Sequence, residues 1–141
     1  MAKPLSEHVL FFREGIRDPG VASLFPTLRS TVRHIIEAVD FENSRLVVEY
    51  GPGTGVMTRE LLAHLTPNSR LVVIERNRAF VQSLRGIDDK RLTVIEGNAL
   101  DVIPLLQNMS QHRVDCVISG IPFSALTPPV AEKLVADTRT C

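Results

Sequence analysis

The segment that most constrains the fold of this 141-residue chain is a short, largely apolar run that leads into three closely spaced glycines. The run covers residues 46–50, and Gly51, Gly53 and Gly55 follow it at alternate positions. Glycine tolerates positive φ and has no Cβ, so the backbone of such a turn can lie against a ligand where a strand ends. The segment therefore predicts a buried strand followed by a nucleotide-cofactor loop.

The spacing and the charge of this loop favour a cationic cofactor over a dinucleotide. A dinucleotide fingerprint, G-x-G-x-x-G, needs its third glycine at position 56, which is Val56 here. Glu49 would repel a pyrophosphate at the end of the strand, but it would attract the sulfonium and ammonium groups of S-adenosylmethionine. The loop therefore indicates an S-adenosylmethionine site.

The remainder of the chain alternates between strand and helix patterns. Strands are predicted at 46–50, 70–75, 92–96 and 114–119, and helices at 55–65, 78–84, 101–109 and 129–136. The strand runs are continuously apolar, as expected when helices cover both faces of a parallel sheet. We predict an α/β, Rossmann-like, doubly wound fold in a single domain, with N-terminal helices in residues 1–42 and the cofactor-binding half in residues 43–141.

Two helices are predicted before this alternation. The first has an apolar stripe at helical spacing, formed by Leu5, Val9, Phe12 and Ile16, and the second runs from Leu28 to Val39. The first stripe packs on the core or, with its neighbouring arginines, lies in a membrane interface. Sixteen basic residues balance sixteen acidic ones, so no overall field steers the chain to nucleic acid. The spacing of the two cysteines suggests no disulfide framework, so we expect a cytoplasmic protein. Without a long apolar run, we expect at most a peripheral contact at the inner membrane surface.

The pattern Glu49-x-Gly51-x-Gly53-x-Gly55 resembles motif I of class I S-adenosylmethionine-dependent methyltransferases. The fuller string EYGPGTGVMTRELL is similar to the form found in rRNA adenine dimethylases and bacterial phospholipid N-methyltransferases. The resemblance implies a seven-stranded sheet in the order 3-2-1-4-5-7-6, of which this chain supplies strands one to four, so that we expect a fold truncated after strand four. Strand four would then be an unpaired edge, which either a partner covers or a fragment exposes.

The resemblance also assigns roles to residues around the cofactor. The residues expected to bind the methionine end of S-adenosylmethionine are Glu49 and those that follow it, namely Tyr50, Gly51, Gly53, Thr54 and Gly55. Glu75, 20 positions after Gly55, is at the position of the ribose-binding acid, with Arg76 beside it; a surface ion pair is the alternative. Asn98 and Ala99 are at the adenine position, although an Asn there can instead cap a helix.

The segment 119–123 is at the position of the family's catalytic motif IV. The predicted catalytic residues are Ser119, Gly120, Pro122 and Phe123, and Ser119 also borders the cofactor. Enzymes that methylate adenine typically have Asn where this chain has Gly120, so a side-chain acceptor for the adenine amine is absent. The segment looks more like that of phospholipid N-methyltransferases, while a buried turn without chemistry is the alternative. We expect the histidines to be surface or helix-cap residues, and their spacing in the sequence suggests no metal site.

The resemblance thus implies an N-methyltransferase that acts on a phospholipid headgroup such as phosphatidylethanolamine. An RNA adenine or small-molecule methyltransferase is one alternative, and a catalytically silent S-adenosylmethionine-binding fragment or subunit is another. A lipid headgroup or another small amine is thus the expected acceptor, and nucleic acid is less favoured. The strand-four edge offers a surface for association with a partner.

Overall fold

The described part of the chain forms a parallel five-stranded sheet with helices on both faces. The structure is a computed structural model that describes residues 9–11, 25–109, 113–121 and 126–141. The strands are β1 Val9–Phe11, β2 Leu46–Tyr50, β3 Arg70–Glu75, β4 Leu92–Glu96 and β5 Cys116–Ser119. The helices are α1 Phe25–Ala38, α2 Val56–His64, α3 Arg78–Arg85, α4 Val102–Asn108 and α5 Pro128–Thr140, with a 3₁₀ turn at Ala99–Asp101. The strand order is β1-β5-β2-β3-β4.

Two apolar clusters cover the two faces of the sheet. One side of the central strands packs against α1, α2 and α3, through residues such as Ile35, Leu61 and Leu84. The other side packs against α4 and α5, through residues such as Val102 and Leu134. Every residue of β2 and β5 is buried, which explains why these strands are continuous apolar runs without polar alternation.

The sequence placed most of these elements correctly. The predicted bounds of β2, β3 and β4 are confirmed residue for residue, whereas β5 begins two residues later than predicted. Helix α2 begins at Val56 because Gly55, with φ of 82°, is in the left-handed region and acts as its N-cap. Helix α5 extends to Thr140, beyond its predicted end. The predicted Rossmann-like architecture is thus confirmed.

The helix predicted around Val9 is wrong over the three residues that the structure describes there. Residues Val9–Phe11 form β1, which pairs in parallel with β5 in the register Val9↔Val117 to Phe11↔Ser119. A three-residue apolar run fits either a helix face or a strand, and here the open edge of β5 supplies the hydrogen-bond partners. The rest of the predicted helix lies outside the described residues.

The prediction of an unpaired edge at strand four is wrong for the same reason, because β1 pairs with this strand, β5. Strand β5 pairs with β2 on one side and with β1 on the other, so its backbone is not free for association with a second chain. Strand β1 thereby occupies the place beside strand four that the family resemblance assigns to strand five. The edge strand at the other side, β4, is only half-buried along most of its length.

Candidate cofactor site

Three glycines extend the sheet by one residue at its carboxyl edge. The backbone N–H of Gly51 donates to Ile74 O at 2.9 Å, that of Gly97 to Glu75 O at 3.0 Å, and that of Gly120 to Tyr50 O at 2.7 Å. The chain passes from β2 to β3 on one side and later returns to β5 on the other side of β2. In open α/β sheets, a ligand crevice forms outside the carboxyl ends of strands at such a reversal. The glycine loop lies directly at this point.

The loop conformation favours glycine at all three motif positions. Gly51, Gly53 and Gly55 have φ of 61°, 56° and 82°, a region that L-residues adopt only with strain. A Cβ on Gly55 would lie 2.8 Å from Leu84 Cδ2, so this glycine also lets the loop pack on α3. A Cβ on Gly53 would meet no atom within 4 Å. The backbone around Gly53 therefore borders open space, as a loop that lies against a ligand must.

Glu75 connects the glycine loop to the end of β3. Its Oε2 accepts a hydrogen bond from the Gly53 N–H at 3.1 Å, and its Oε1 accepts one from the Asn77 N–H at 2.8 Å. The side chain is only 7% exposed, and no ion pair joins it to Arg76 or Arg78 among the described contacts. Each carboxylate oxygen keeps a further lone pair, so the group can still accept hydrogen bonds from ribose hydroxyls. The surface-ion-pair alternative for Glu75 is therefore not what the structure has.

Glu49 is the most deeply buried carboxylate of the site. It is 1% exposed, and its Oε2 accepts a hydrogen bond from the Thr58 hydroxyl at 2.7 Å. Burial raises the pKa of Glu49 to about 7, with the nearby Glu75 carboxylate adding to the rise and the Thr58 hydrogen bond opposing it. A carboxylate this far from water binds a cation strongly, because few water dipoles screen the attraction.

Two residues around the loop were missed by the sequence analysis. Thr58 holds Glu49, and Arg59 Nη1 donates to the carbonyl oxygens of Thr54 and Gly55 at 2.9 and 3.0 Å. Both lie in the first turn of α2, immediately after the loop, and a polar pair at that point of an otherwise apolar helix start is the signal that could have indicated them. Arg59 thus holds the loop backbone from outside.

The predicted residues Tyr50, Thr54 and Arg76 differ in how they reach the site. The Tyr50 ring is 1% exposed and faces α5, where its hydroxyl hydrogen-bonds with Thr138 Oγ1 at 3.1 Å. Only its backbone lies at the carboxyl edge, so a cofactor contact from Tyr50 can come only from main-chain atoms. Thr54 and Arg76 are exposed beside the loop and beside Glu75, respectively.

Asn98 and Ala99 follow β4 at the same edge of the sheet. Asn98 Oδ1 accepts a hydrogen bond from the Leu100 N–H at 3.0 Å and caps the 3₁₀ turn, the alternative role considered for this residue. The Asn98 side chain remains exposed, while the Ala99 methyl group is buried in the core. An adenine contact by these two residues stays a prediction, with the Asn98 oxygen already holding one donor.

Ser119 and Gly120 end β5 against the glycine loop. Ser119 is fully buried, and its Oγ accepts a hydrogen bond from the Ile121 N–H at 3.2 Å. A Cβ on Gly120 would lie 2.6 Å from Gly51 O, so no side chain fits at this position without a backbone shift. Pro122 and Phe123 lie outside the described residues, and their predicted catalytic role stays a prediction.

The donor and acceptor groups at this edge fit S-adenosylmethionine. Two buried carboxylates suit its ammonium group and its ribose hydroxyls, and the open space beside Gly53 lets the backbone approach it. The comparison with known families agrees with this chemistry. The family model for ribosomal RNA adenine dimethylase matches residues 23–140. The chain belongs to this family. The predicted resemblance to S-adenosylmethionine-dependent methyltransferases, and with it the cofactor, is therefore confirmed.

Two relatives of this member of the adenine dimethylase family are named for different substrates, a lipid and a ribosomal RNA. An ornithine lipid N-methyltransferase from Singulisphaera acidiphila is 34% identical over 79% of this chain. A ribosomal RNA small subunit methyltransferase A from Synechococcus sp. is 36% identical over 75% of it. The chain spans 58% of the first protein's length and 38% of the second's. Among solved structures, an O-methyltransferase from Bacillus cereus in complex with SAH matches 74% of this chain and 56% of its own, with a TM-score of 0.56 at 19% identity, and thus shares the fold.

Proposed function

We propose that this chain forms the cofactor-binding part of an N-methyltransferase whose acceptor is the amine of a lipid headgroup, such as that of phosphatidylethanolamine. The observation that carries the proposal is the close packing of Gly120 on the glycine loop. A Cβ added to Gly120 would lie only 2.6 Å from Gly51 O. A side chain that accepts a hydrogen bond from an adenine amine has no room there. The 34% identity to an ornithine lipid N-methyltransferase supports the same acceptor class.

When bound, S-adenosylmethionine would supply a methyl group on a sulfonium: an unprotonated amine nitrogen would take this methyl group by in-line attack, S-adenosylhomocysteine would leave, and the methylated amine would lose its proton to water. The contribution of the chain is mainly positioning, because such a displacement needs little acid–base chemistry. In this proposal Glu49 binds the ammonium group, Glu75 binds the ribose hydroxyls, and the backbone of Gly51 to Gly55 lies along the cofactor. Backbone carbonyls at Ser119 and Gly120 orient the acceptor amine toward the methyl group.

A lipid acceptor requires contact with a bilayer surface rather than passage through it. In the part of the chain that the structure describes, no helix combines the length and the apolar character needed to cross a membrane. The N-terminal stripe, for which core packing and a membrane interface were the two alternatives, falls mostly outside the described residues, and its Val9 lies in β1. We therefore propose a peripheral contact, which vesicle binding tests.

The second candidate acceptor is an RNA adenine. The family match and the relatives named as ribosomal RNA small subunit methyltransferase A favour it. The third candidate is cofactor binding without transfer, since the chain spans only part of those relatives. The first two hypotheses predict different methylated products and the third predicts none, so a binding assay and a transfer assay together separate them.

The cofactor assignment is tested by calorimetric titration with S-adenosylmethionine. We expect Glu75→Ala to weaken binding by at least tenfold, because it removes the ribose acceptor and releases the Gly53 N–H. Glu96→Ala is the matched control, since Glu96 pairs in register with Glu75 at the end of β4 but is exposed. Equal affinity of Glu75→Ala and wild type would show that the ribose assignment is wrong.

The acceptor is tested by transfer of a radiolabelled methyl group. Vesicles with phosphatidylethanolamine should be labelled, whereas vesicles of phosphatidylcholine, whose headgroup nitrogen is already fully methylated, should not. Labelling of RNA instead, with binding that weakens steeply as salt rises, would replace the lipid acceptor by RNA. Cofactor binding without transfer to either acceptor would favour the silent module.

A further inference from the structure

The surroundings of Glu49 contain one hydrogen-bond donor among the described residues. Its neighbours on the adjacent strands are Val73 and Ile118, which are apolar and buried. Helix α2 contributes Thr58, and the charged group that acts on Glu49 is the Glu75 carboxylate on β3, which repels it. Oε2 is bound to Thr58, and Oε1 accepts no hydrogen bond from any residue that the structure describes.

The Thr58 hydroxyl donates its hydrogen bond to a side chain and not to a helix carbonyl, which is unusual for a buried helical threonine. Such hydroxyls commonly bond to the carbonyl four residues earlier, as Thr138 does with Leu134 O at 2.7 Å. The corresponding carbonyl for Thr58 is that of Thr54, and this oxygen accepts instead from Arg59 Nη1 at 2.9 Å. The Thr58 hydroxyl, itself fully buried, is thereby directed to the carboxylate.

We propose that Thr58 is a positioning residue, which holds the Glu49 carboxylate in one orientation and in its charged form so that Oε1 can bind the ammonium group of the cofactor. The proposal rests on the proposed function, because it presupposes that Glu49 meets S-adenosylmethionine. It assigns to the first turn of α2 a specific part in cofactor affinity. Thr58 does so through Glu49 and needs no contact with the cofactor itself.

The proposal has a measurable consequence in the pH dependence of binding. Because burial sets the pKa of Glu49 at about 7, about half of the free protein has the charged form at that pH. Loss of a hydrogen bond to a charged group is sufficient to raise the pKa by about one unit. The charged fraction at pH 7 then falls to about a tenth, so binding weakens about fivefold, while at pH 9 the difference nearly disappears.

The experiment is calorimetric titration with S-adenosylmethionine from pH 6 to pH 9 for wild type, Thr58→Val and Thr58→Ser. We expect Thr58→Val to move the midpoint of the affinity profile up by about one unit and Thr58→Ser to restore it. Titration of the ligand's own amine is common to all three proteins and cancels in their ratio. Thr138→Val is the matched control: it also removes a buried helical hydroxyl, and it should lower thermal stability without moving the midpoint.

Two results would overturn the proposal, and they differ from a failure of the proposed function. If the wild type binds and Thr58→Val has the same midpoint, Thr58 does not act through Glu49. If Thr58→Val weakens binding equally at every pH and Thr58→Ser does the same, its effect is packing alone. If the wild type itself fails to bind S-adenosylmethionine, the proposed function is wrong; the carbon-13 shift of the Glu49 carboxyl carbon, followed against pH without ligand, then shows whether Thr58 still sets its ionisation.

Discussion

Glu49 should make the free protein less stable at neutral pH than a neutral isostere would. Its pKa rises from 4.5 to about 7 on folding, mainly because the folded chain removes it from water. A raised folded-state pKa contributes stability that is complete below pH 4.5 and is lost as the pH rises through 7. A difference of about 2.5 units, at about 1.4 kcal/mol each, corresponds to about 3 kcal/mol of unfolding free energy. That is a large share of the stability of a domain of this size.

The prediction is tested with Glu49→Gln, whose amide oxygen can still accept from Thr58. Urea unfolding of both proteins from pH 4 to pH 8.5 gives the difference in unfolding free energy at each pH. Because every other titrating group is common to the two proteins, we expect the advantage of the variant to grow by about 3 kcal/mol from pH 4 to pH 8. A difference that stays constant to within about 1 kcal/mol would refute the burial of a titrating carboxylate at this position.

Four further substitutions test the site and the packing around it. Gly120→Ala should destabilise the fold by about 1–3 kcal/mol and abolish cofactor binding, because its Cβ would lie 2.6 Å from Gly51 O. Gly53→Ala has open space at its Cβ and should cost only about 1–2 kcal/mol of left-handed backbone strain. Thermal melts measure both changes in stability. Arg91→Ala should lower the unfolding free energy by about 2 kcal/mol in urea, since its guanidinium donates to the carbonyls that end α2 at 2.6 and 2.7 Å. Tyr50→Phe should cost about 1 kcal/mol in the same assay and leave the calorimetric affinity for S-adenosylmethionine unchanged, because its hydroxyl faces α5.

The sheet was predictable where its strands are long and buried. The runs that form β2, β3 and β4 are five or six residues long, and a glycine follows β2 and β4 directly. Their apolar content and the glycines that end them therefore locate these strands without tertiary information. Strand β1 has only three residues and makes its hydrogen bonds with β5, more than a hundred positions later. Its identity as a strand depends on that distant edge, which local periodicity does not contain.

The site was predictable in its backbone and less so in its side chains. The glycine loop and Glu75 follow from residue type and spacing, because left-handed φ and strand ends are local properties. The direction of the Tyr50 ring depends on which sheet face it joins, and the partner of Thr58 depends on how α2 packs over β2. Asn98 shows the same limit, since its cap on the 3₁₀ turn uses one of the two lone pairs of the amide oxygen that a ligand could contact.

The burial of Glu49 couples cofactor binding to folding. The free protein holds a carboxylate that is destabilising above pH 7, so a bound cation at that carboxylate offsets the penalty that burial imposes. We therefore expect saturating S-adenosylmethionine to raise the Tm of the wild type more at pH 8 than at pH 6, where Glu49 is mostly protonated and neutral. Glu49→Gln should begin with a higher Tm than the wild type at pH 8 and gain little from the ligand at either pH. A Tm gain in Glu49→Gln equal to that of the wild type would mean that the cation is bound elsewhere in the site.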